Sequence, residues 1–187
     1  MWKISAPALL LASLAGCGAG DSPPGPTNGE ATVDNATLTQ FALTSGDIRE
    51  GQPIPAVHSC DGADQSPALA WGEPPAGTSS FALVMDDPDA PSGTFRHWGA
   101  YNIPAGARSM PAGHPVGKQA INGFGKSGYG GPCPPTGHGP HHYRFKLYAL
   151  DVEALDLPAD ASVEQLEDQA QKHQTGLATL TATFERK

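Results

Sequence analysis

Residues 128–151 read GYGGPCPPTGHGPHHYRFKLYALD. The first half is almost all glycine and proline, and from His141 onward the chain alternates. Tyr143, Phe145, Leu147 and Ala149 point one way; Arg144, Lys146 and Tyr148 point the other. That period of two is the mark of a half-buried strand. The same rhythm recurs in SFALVMDD at 80–87, with Phe81, Leu83 and Met85 on one face and Ala82 and Val84 on the other. FRHWGAYNI, residues 95–103, is apolar on both faces, and GLATLTATFE, residues 176–185, puts Leu180 and Phe184 on one row. One helix is predicted. Ser162 caps VEQLEDQAQKH, Gln165 completes a capping box three residues on, and Gly176 ends it. Many strands, long Pro/Gly connections and one late, short helix predict an antiparallel β-sandwich or a β-rich α+β domain.

Between these strands lies an unusual connection. Seventeen of the 37 residues from Pro104 to Pro140 are Gly or Pro, and no apolar period survives there. A segment of that length without structure of its own is usually functional or disordered. Ile121, Phe124 and Tyr129 give it something to bury and its prolines restrict its freedom, so an ordered wall across the sheet is expected.

The chain has 187 residues, enough for one domain with a real core. Its formal charge is −8, with 11 Lys and Arg scattered along it, which argues against nucleic-acid binding. The first residues, MWKISAPALLLASLAGC, combine Lys3 with the short apolar stretch Ile4–Leu14, the pattern of an export signal rather than a membrane span. Leu14-Ala15-Gly16-Cys17 resembles the bacterial lipobox, which implies lipidation of Cys17 after removal of residues 1–16. Gly18, in a Gram-negative cell, resembles the signal for sorting to the outer membrane, facing the periplasm. Residues 17–38 are rich in Gly, Pro, Ser, Thr and Asn and read as a flexible tether, so the folded domain is expected over 39–187. Cys60 and Cys133 remain. In an oxidising compartment they can form a disulfide or stay as two small buried residues, and their spacing does not decide between the two.

Alternation also sorts the polar residues. Asp87 falls on the row of Phe81, Leu83 and Met85, at the strand end where DPDAP turns. A carboxylate on a core-facing row must be hydrogen-bonded, paired or protonated, unless it only opens a proline turn. His141 and Tyr143 share the face of Phe145 and Leu147, whereas His142 goes out with Arg144. His97 sits in the doubly buried strand, where a histidine is more often a satisfied core residue than a functional one.

DPDAP at 87–91, HW at 97–98 and GPCPPTGHGPHHY at 131–143 together resemble the phosphatidylethanolamine-binding protein family, in its bacterial, Raf-kinase-inhibitor-like branch. HSCDGADQSPALAW at 58–71 and YNIPAG at 101–106 resemble it too, so the likeness runs from about Phe41 to the end. The loop around TGHGPH is longer than the shortest form of that family's loop. The resemblance implies a β-sandwich around a small anion pocket. The pocket residues would be Asp87, Asp89, His97, the Gly131–Pro132 backbone, His141 and Tyr143, with Trp98 and His142 outside it. A phosphate-bearing or carboxylate ligand of head-group type, bound without turnover and without a cofactor, is what such a pocket implies. Backbone N–H groups, Tyr143 and the imidazoles would donate to the anion, while the aspartates hold an imidazolium or receive an ammonium.

Three alternatives remain open. A metal site from His97, His141 and Asp87 has suitable ligand types but no pair at helical spacing. A hydrolase acting through the same Asp/His pocket would need a nucleophile, for which Ser66 and Cys133 are the candidates, and no Gly-x-Ser-x-Gly elbow exists. An inhibitor of an envelope enzyme is the third, with its protein partner unspecified.

Overall fold

The structure, a computed structural model, describes residues 39–187; residues 1–38, with the expected signal, tether and Cys17, lie outside the described residues. Among the described residues nine strands, one α-helix and a single 3-10 turn (Ala56–His58, between β2 and β3) follow in order: β1 (Thr39–Gln40), β2 (Leu43–Thr44), β3 (Leu69–Trp71), β4 (Ser80–Asp87), β5 (Phe95–Pro104), β6 (Ser109–Met110), β7 (Lys118–Gln119), β8 (His141–Leu150), α1 (Val163–His173) and β9 (Gln174–Phe184). The larger sheet has the order β1-β9-β8-β4-β5-β7, and the smaller one the order β2-β3-β6. All pairings between these strands are antiparallel except β1 with β9, a two-residue parallel edge on the expected antiparallel sandwich.

The alternation of β4 corresponds to two separate cores. Phe81, Leu83 and Met85 join Phe145, Leu147 and Trp98 and meet Leu43, Leu69, Trp71 and Met110 of the small sheet. Ala82 and Val84 look the other way, with Tyr101, Tyr148 and Leu150, onto Val163, Leu166 and Ala170 of α1. The molecule therefore has three layers, small sheet, large sheet and helix, and β4 is buried along its whole length. Gly99 of β5 lets the helix sit down closely. A Cβ there would stand 2.8 Å from Val163 Cγ2 and 2.9 Å from Leu166 Cδ2.

The helix begins as expected: the Gln165 N–H donates to Ser162 Oγ at 3.2 Å and the Ser162 N–H to Gln165 Oε1 at 2.9 Å. Its end differs. The chain leaves the helix at His173 and passes straight into β9, so Gly176 is not a helix stop but a strand residue opposite Thr39 and Ala149. Pairing on both sides of β9 outweighs the local preference of glycine for a cap. The Pro/Gly connection is ordered by β6, β7 and an Ile121–Ser127 bridge, and Tyr129 packs on Trp98 at 5.4 Å between centroids. Phe124, expected to be buried, is 46 % exposed. Among the described residues no helix is long and apolar enough to cross a membrane.

Candidate functional site

The order of the large sheet places the end of β4 between β8 and β5, so Asp87 stands between Tyr143 and His97. A register break delivers the histidine. Trp98 opposes Met85 but Arg96 opposes Asp86, so His97 is the extra residue of a β-bulge. Bulges commonly re-aim a side chain next to a site, and here the His97 ring stands edge-on to Tyr143, 5.2 Å away, and to Phe95, 4.9 Å away. Asp87, His97, His141 and Tyr143 are all buried and come together at this end of the sheet.

A cavity of about 210 Å³ opens there, lined by Asp87, His97 and His141 and walled by Phe95, Phe124 and the Cys133–Pro135 segment. His141 Nδ1 lies 2.7 Å from Asp87 Oδ2. His97 Nδ1–H donates to the Gly130 carbonyl at 2.8 Å, because a carbonyl can only accept, and Nε2 is left as the free ring nitrogen. Burial pushes the His97 imidazole below its ordinary value, against the smaller opposing pulls of the Gly130 carbonyl and the Asp87 charge, so it is neutral at pH 7. The Tyr143 hydroxyl is buried beside the Asp87 carboxylate and the Cys133 backbone, without a hydrogen bond of good geometry to either. Burial first, and the Asp87 charge second, push its pKa well above the ordinary phenol value, so it keeps its proton as a donor.

Three expected members stand apart from the cavity. Asp89 is on the outer rim, where its Oδ2 accepts from the His142 N–H at 2.8 Å and faces the His142 ring Nδ1 at 2.7 Å. The His142 hydrogen bond holds its carboxyl below the usual range. The Gly131 N–H is taken by Asp64 Oδ1 at 2.6 Å, and the Pro132 carbonyl accepts from the Cys60 N–H at 3.1 Å, so neither group is free to face an anion there. Glycine is required at 131 for another reason: a Cβ would collide with the His58 carbonyl oxygen and the Asp64 carboxylate. Cys133 is bonded to Cys60, with their Cα atoms 5.4 Å apart. That bond removes Cys133 as a nucleophile, and Ser66 lies in a different hollow with its Oγ accepting from the Gly113 N–H at 3.1 Å. Among the described residues no three His, Cys, Asp or Glu side chains are grouped to hold a metal ion.

The expected wall of the Pro/Gly segment supplies Phe124 and Cys133–Pro135, but its pairing with Phe95 was not foreseen. Phe95 and Phe124 stack edge-to-face at 4.8 Å and close one side, with Phe124 5.5 Å from His97. A two-faced strand and a glycine-flanked aromatic carry no signal that they share one cavity. His138, whose Nδ1 is 3.1 Å from His141 Nε2, is the other addition, and it sits in the long form of the loop.

A small sheet packed on a large one, with an Asp–His pair, a bulged histidine and a buried tyrosine at one end of the large sheet, frames the cavity. Residues 44–185 match the family model described as phosphatidylethanolamine-binding protein, and the chain belongs to that family. It is 36 % identical to YbcL of Escherichia coli over 168 residues, which span 82 % of this chain and 92 % of the relative. It is 40 % identical to lipoprotein LppC of Mycobacterium tuberculosis over 186 residues, 94 % of this chain and 92 % of that one. The crystal structure of E. coli YbcL, described as a member of the mammalian family, superposes with a TM-score of 0.76 at 34 % identity, covering 80 % of this chain and all of that one.

Proposed function

We propose that the chain is an envelope lipoprotein whose domain binds a small phosphate-bearing ligand of head-group type in the cavity of Asp87, His97, His141 and Tyr143, without transforming it. The observation that carries this reading is the Tyr143 hydroxyl, buried and unpartnered beside the cavity. A buried donor without an acceptor is costly, and a ligand oxygen relieves it. The remaining groups suit a phosphate monoester that brings its own proton. Its P–OH can donate to Asp87 or to His97 Nε2, while its oxygens accept from Tyr143 and from a protonated His141. An ammonium group on the same ligand would meet the rim carboxylate of Asp89 once His142 yields. The lipid anchor is supported by the Leu14–Cys17 motif and by similarity to a relative named a lipoprotein.

Calorimetry of O-phosphoethanolamine with the intact, detergent-purified protein tests the pocket. Micromolar to millimolar binding that disappears in His141→Ala is expected, and equal affinity in the two proteins would reject the site.

A further inference from the structure

Both ring nitrogens of His141 are in use. A carboxylate has no hydrogen to give, so the His141 Nδ1–H donates to Asp87. In the neutral ring Nε2 is then an acceptor, and the atom that faces it, 3.1 Å away, is Nδ1 of His138. The other donors are committed as well: His97 Nδ1–H to Gly130 and the Gly131 N–H to Asp64. Apart from the Tyr143 hydroxyl, the side chains of the neutral cavity therefore offer acceptors and one carboxylate. An anion that can only accept finds a single side-chain donor there.

We infer that His138 occupies the ligand's place on His141, and that an acceptor-only anion exchanges with it while His141 takes up one proton at Nε2. The new Nε2–H then donates to the anion, and the proton comes from the buffer. This rests on the pocket reading above. The loop suits the exchange. His138 is exposed, and His141 is its side chain's one hydrogen-bond partner among the described residues. It stands between Gly137 and Gly139, at φ 75° and 84°, a region most side chains avoid and two glycines can leave and re-enter freely. The base of the loop is fixed by the Gly137 N–H donating to the Arg186 carbonyl at 2.9 Å. The charged groups nearest His141 are carboxylates. Asp87 faces it from β4 and Asp89 lies in the turn beyond; His97 comes from β5 and the neutral Tyr143 from β8. From β9 the opposing residue is the apolar Phe184, and the Arg186 guanidinium beyond it is held by Asp61 at 2.9 Å. His138 thus acts as a selector: any ligand that reaches His141 Nε2 must displace it, and an acceptor-only ligand needs the added proton besides.

Dimethyl phosphate, a monoanion throughout the neutral range, makes any proton uptake the protein's own. Calorimetry in buffers of different ionisation heat should record about one proton taken up per ligand at neutral to mildly alkaline pH, with the dissociation constant rising about tenfold per pH unit there. His138→Ala should bind about threefold more tightly with the same uptake, the worth of one modest hydrogen bond. His138→Asn, which keeps an N–H donor, should return toward the parent affinity. In the unaltered chain the His138 ring resonances should shift on saturation. No proton uptake, an unmoved His138 signal, or unchanged affinity in His138→Ala would overturn the inference. If binding needs His141 but ignores His138, only the selector falls. If dimethyl phosphate does not bind, or binds equally well to His141→Ala, the pocket reading falls with it.

Discussion

Asp86 and Asp87 are neighbours in sequence and both are buried, yet they belong to different machines. Asp86 points toward the helix side and is fully engaged. Arg144 holds it through Nε at 2.7 Å and Nη2 at 3.0 Å, and Lys146 Nζ approaches at 2.7 Å. Glu167 of α1 closes the network through Lys146, Arg96 at 2.7 Å and the Tyr148 hydroxyl at 3.0 Å. Asp87 points the opposite way, toward a cavity, with one imidazole bound to it and an idle phenol nearby. The difference lies in saturation. A carboxylate with all its lone pairs occupied can only hold a fold together, whereas one in an incompletely paired cluster leaves room for a partner.

The sharpest way to break this comparison is Asp86→Asn. Removing the charge leaves Arg144, Lys146 and Arg96 facing Glu167 alone, and disrupting a buried ion pair from one side costs about 3 kcal/mol or more. Urea unfolding should show that loss as a lower midpoint with an unchanged slope. O-phosphoethanolamine affinity of the folded protein should stay within about twofold of the parent. A large loss of affinity with little loss of stability would invert the assignment of the two aspartates.

Acid should separate the regions next. The His97 imidazole is held below its ordinary value by burial, so the unfolded chain binds that proton more readily. Its contribution is complete above about pH 6.5 and is lost as pH falls below that. Burial alone would raise Asp86, but the Arg144 and Lys146 hydrogen bonds and charges outweigh it and leave the carboxyl below its ordinary value. Its contribution is complete above about pH 4 and is lost only in stronger acid. Stability curves should therefore fall in two steps, each with a slope of at most about 1.4 kcal/mol per pH unit per proton. His97→Phe should remove the upper step and Asp86→Asn the lower.

How much of this was legible follows from what alternation can carry. Period two separates Phe81, Leu83 and Met85 from Ala82 and Val84, and the two sets lie in the two cores. It also puts Asp87, His141 and Tyr143 on one side, because unbroken strands preserve parity. It has nothing to say about His97, whose orientation depends on a bulge in the register with β4, a property of two strands and not of one. The glycine-rich loop misled for a related reason. Gly131 suggested an open N–H for an anion, but its use is steric, and Asp64, 67 residues away in sequence, takes the donor. Local composition reveals that a backbone approach is close, not what approaches.

Asp87→Asn tests the other side of the pair. An amide can still meet His141 Nδ1 but cannot support a positive charge on it, so the proton uptake with dimethyl phosphate should vanish and O-phosphoethanolamine affinity should fall about tenfold. Stability should change by less than for Asp86→Asn, since Asp87 has a single strong side-chain partner in His141. Equal losses of stability at the two positions would mean that the cavity side is as structural as the helix side.

The smallest effect is also the most discriminating. Tyr143→Phe deletes one oxygen atom that has no hydrogen-bond partner and is fully buried. Where a hydroxyl is satisfied, its loss destabilises a protein by about 1 kcal/mol; where it is orphaned, the loss is neutral or stabilising. Stability of Tyr143→Phe should therefore stay level or rise slightly in urea. Affinity should move the other way, falling about fivefold for O-phosphoethanolamine, because the ligand is the partner that the hydroxyl lacks. Two measurements on one substitution then carry opposite signs, a pattern that general loosening of the core cannot produce. Loss of stability together with unchanged affinity would identify the tyrosine oxygen as part of the core and leave the cavity without its donor.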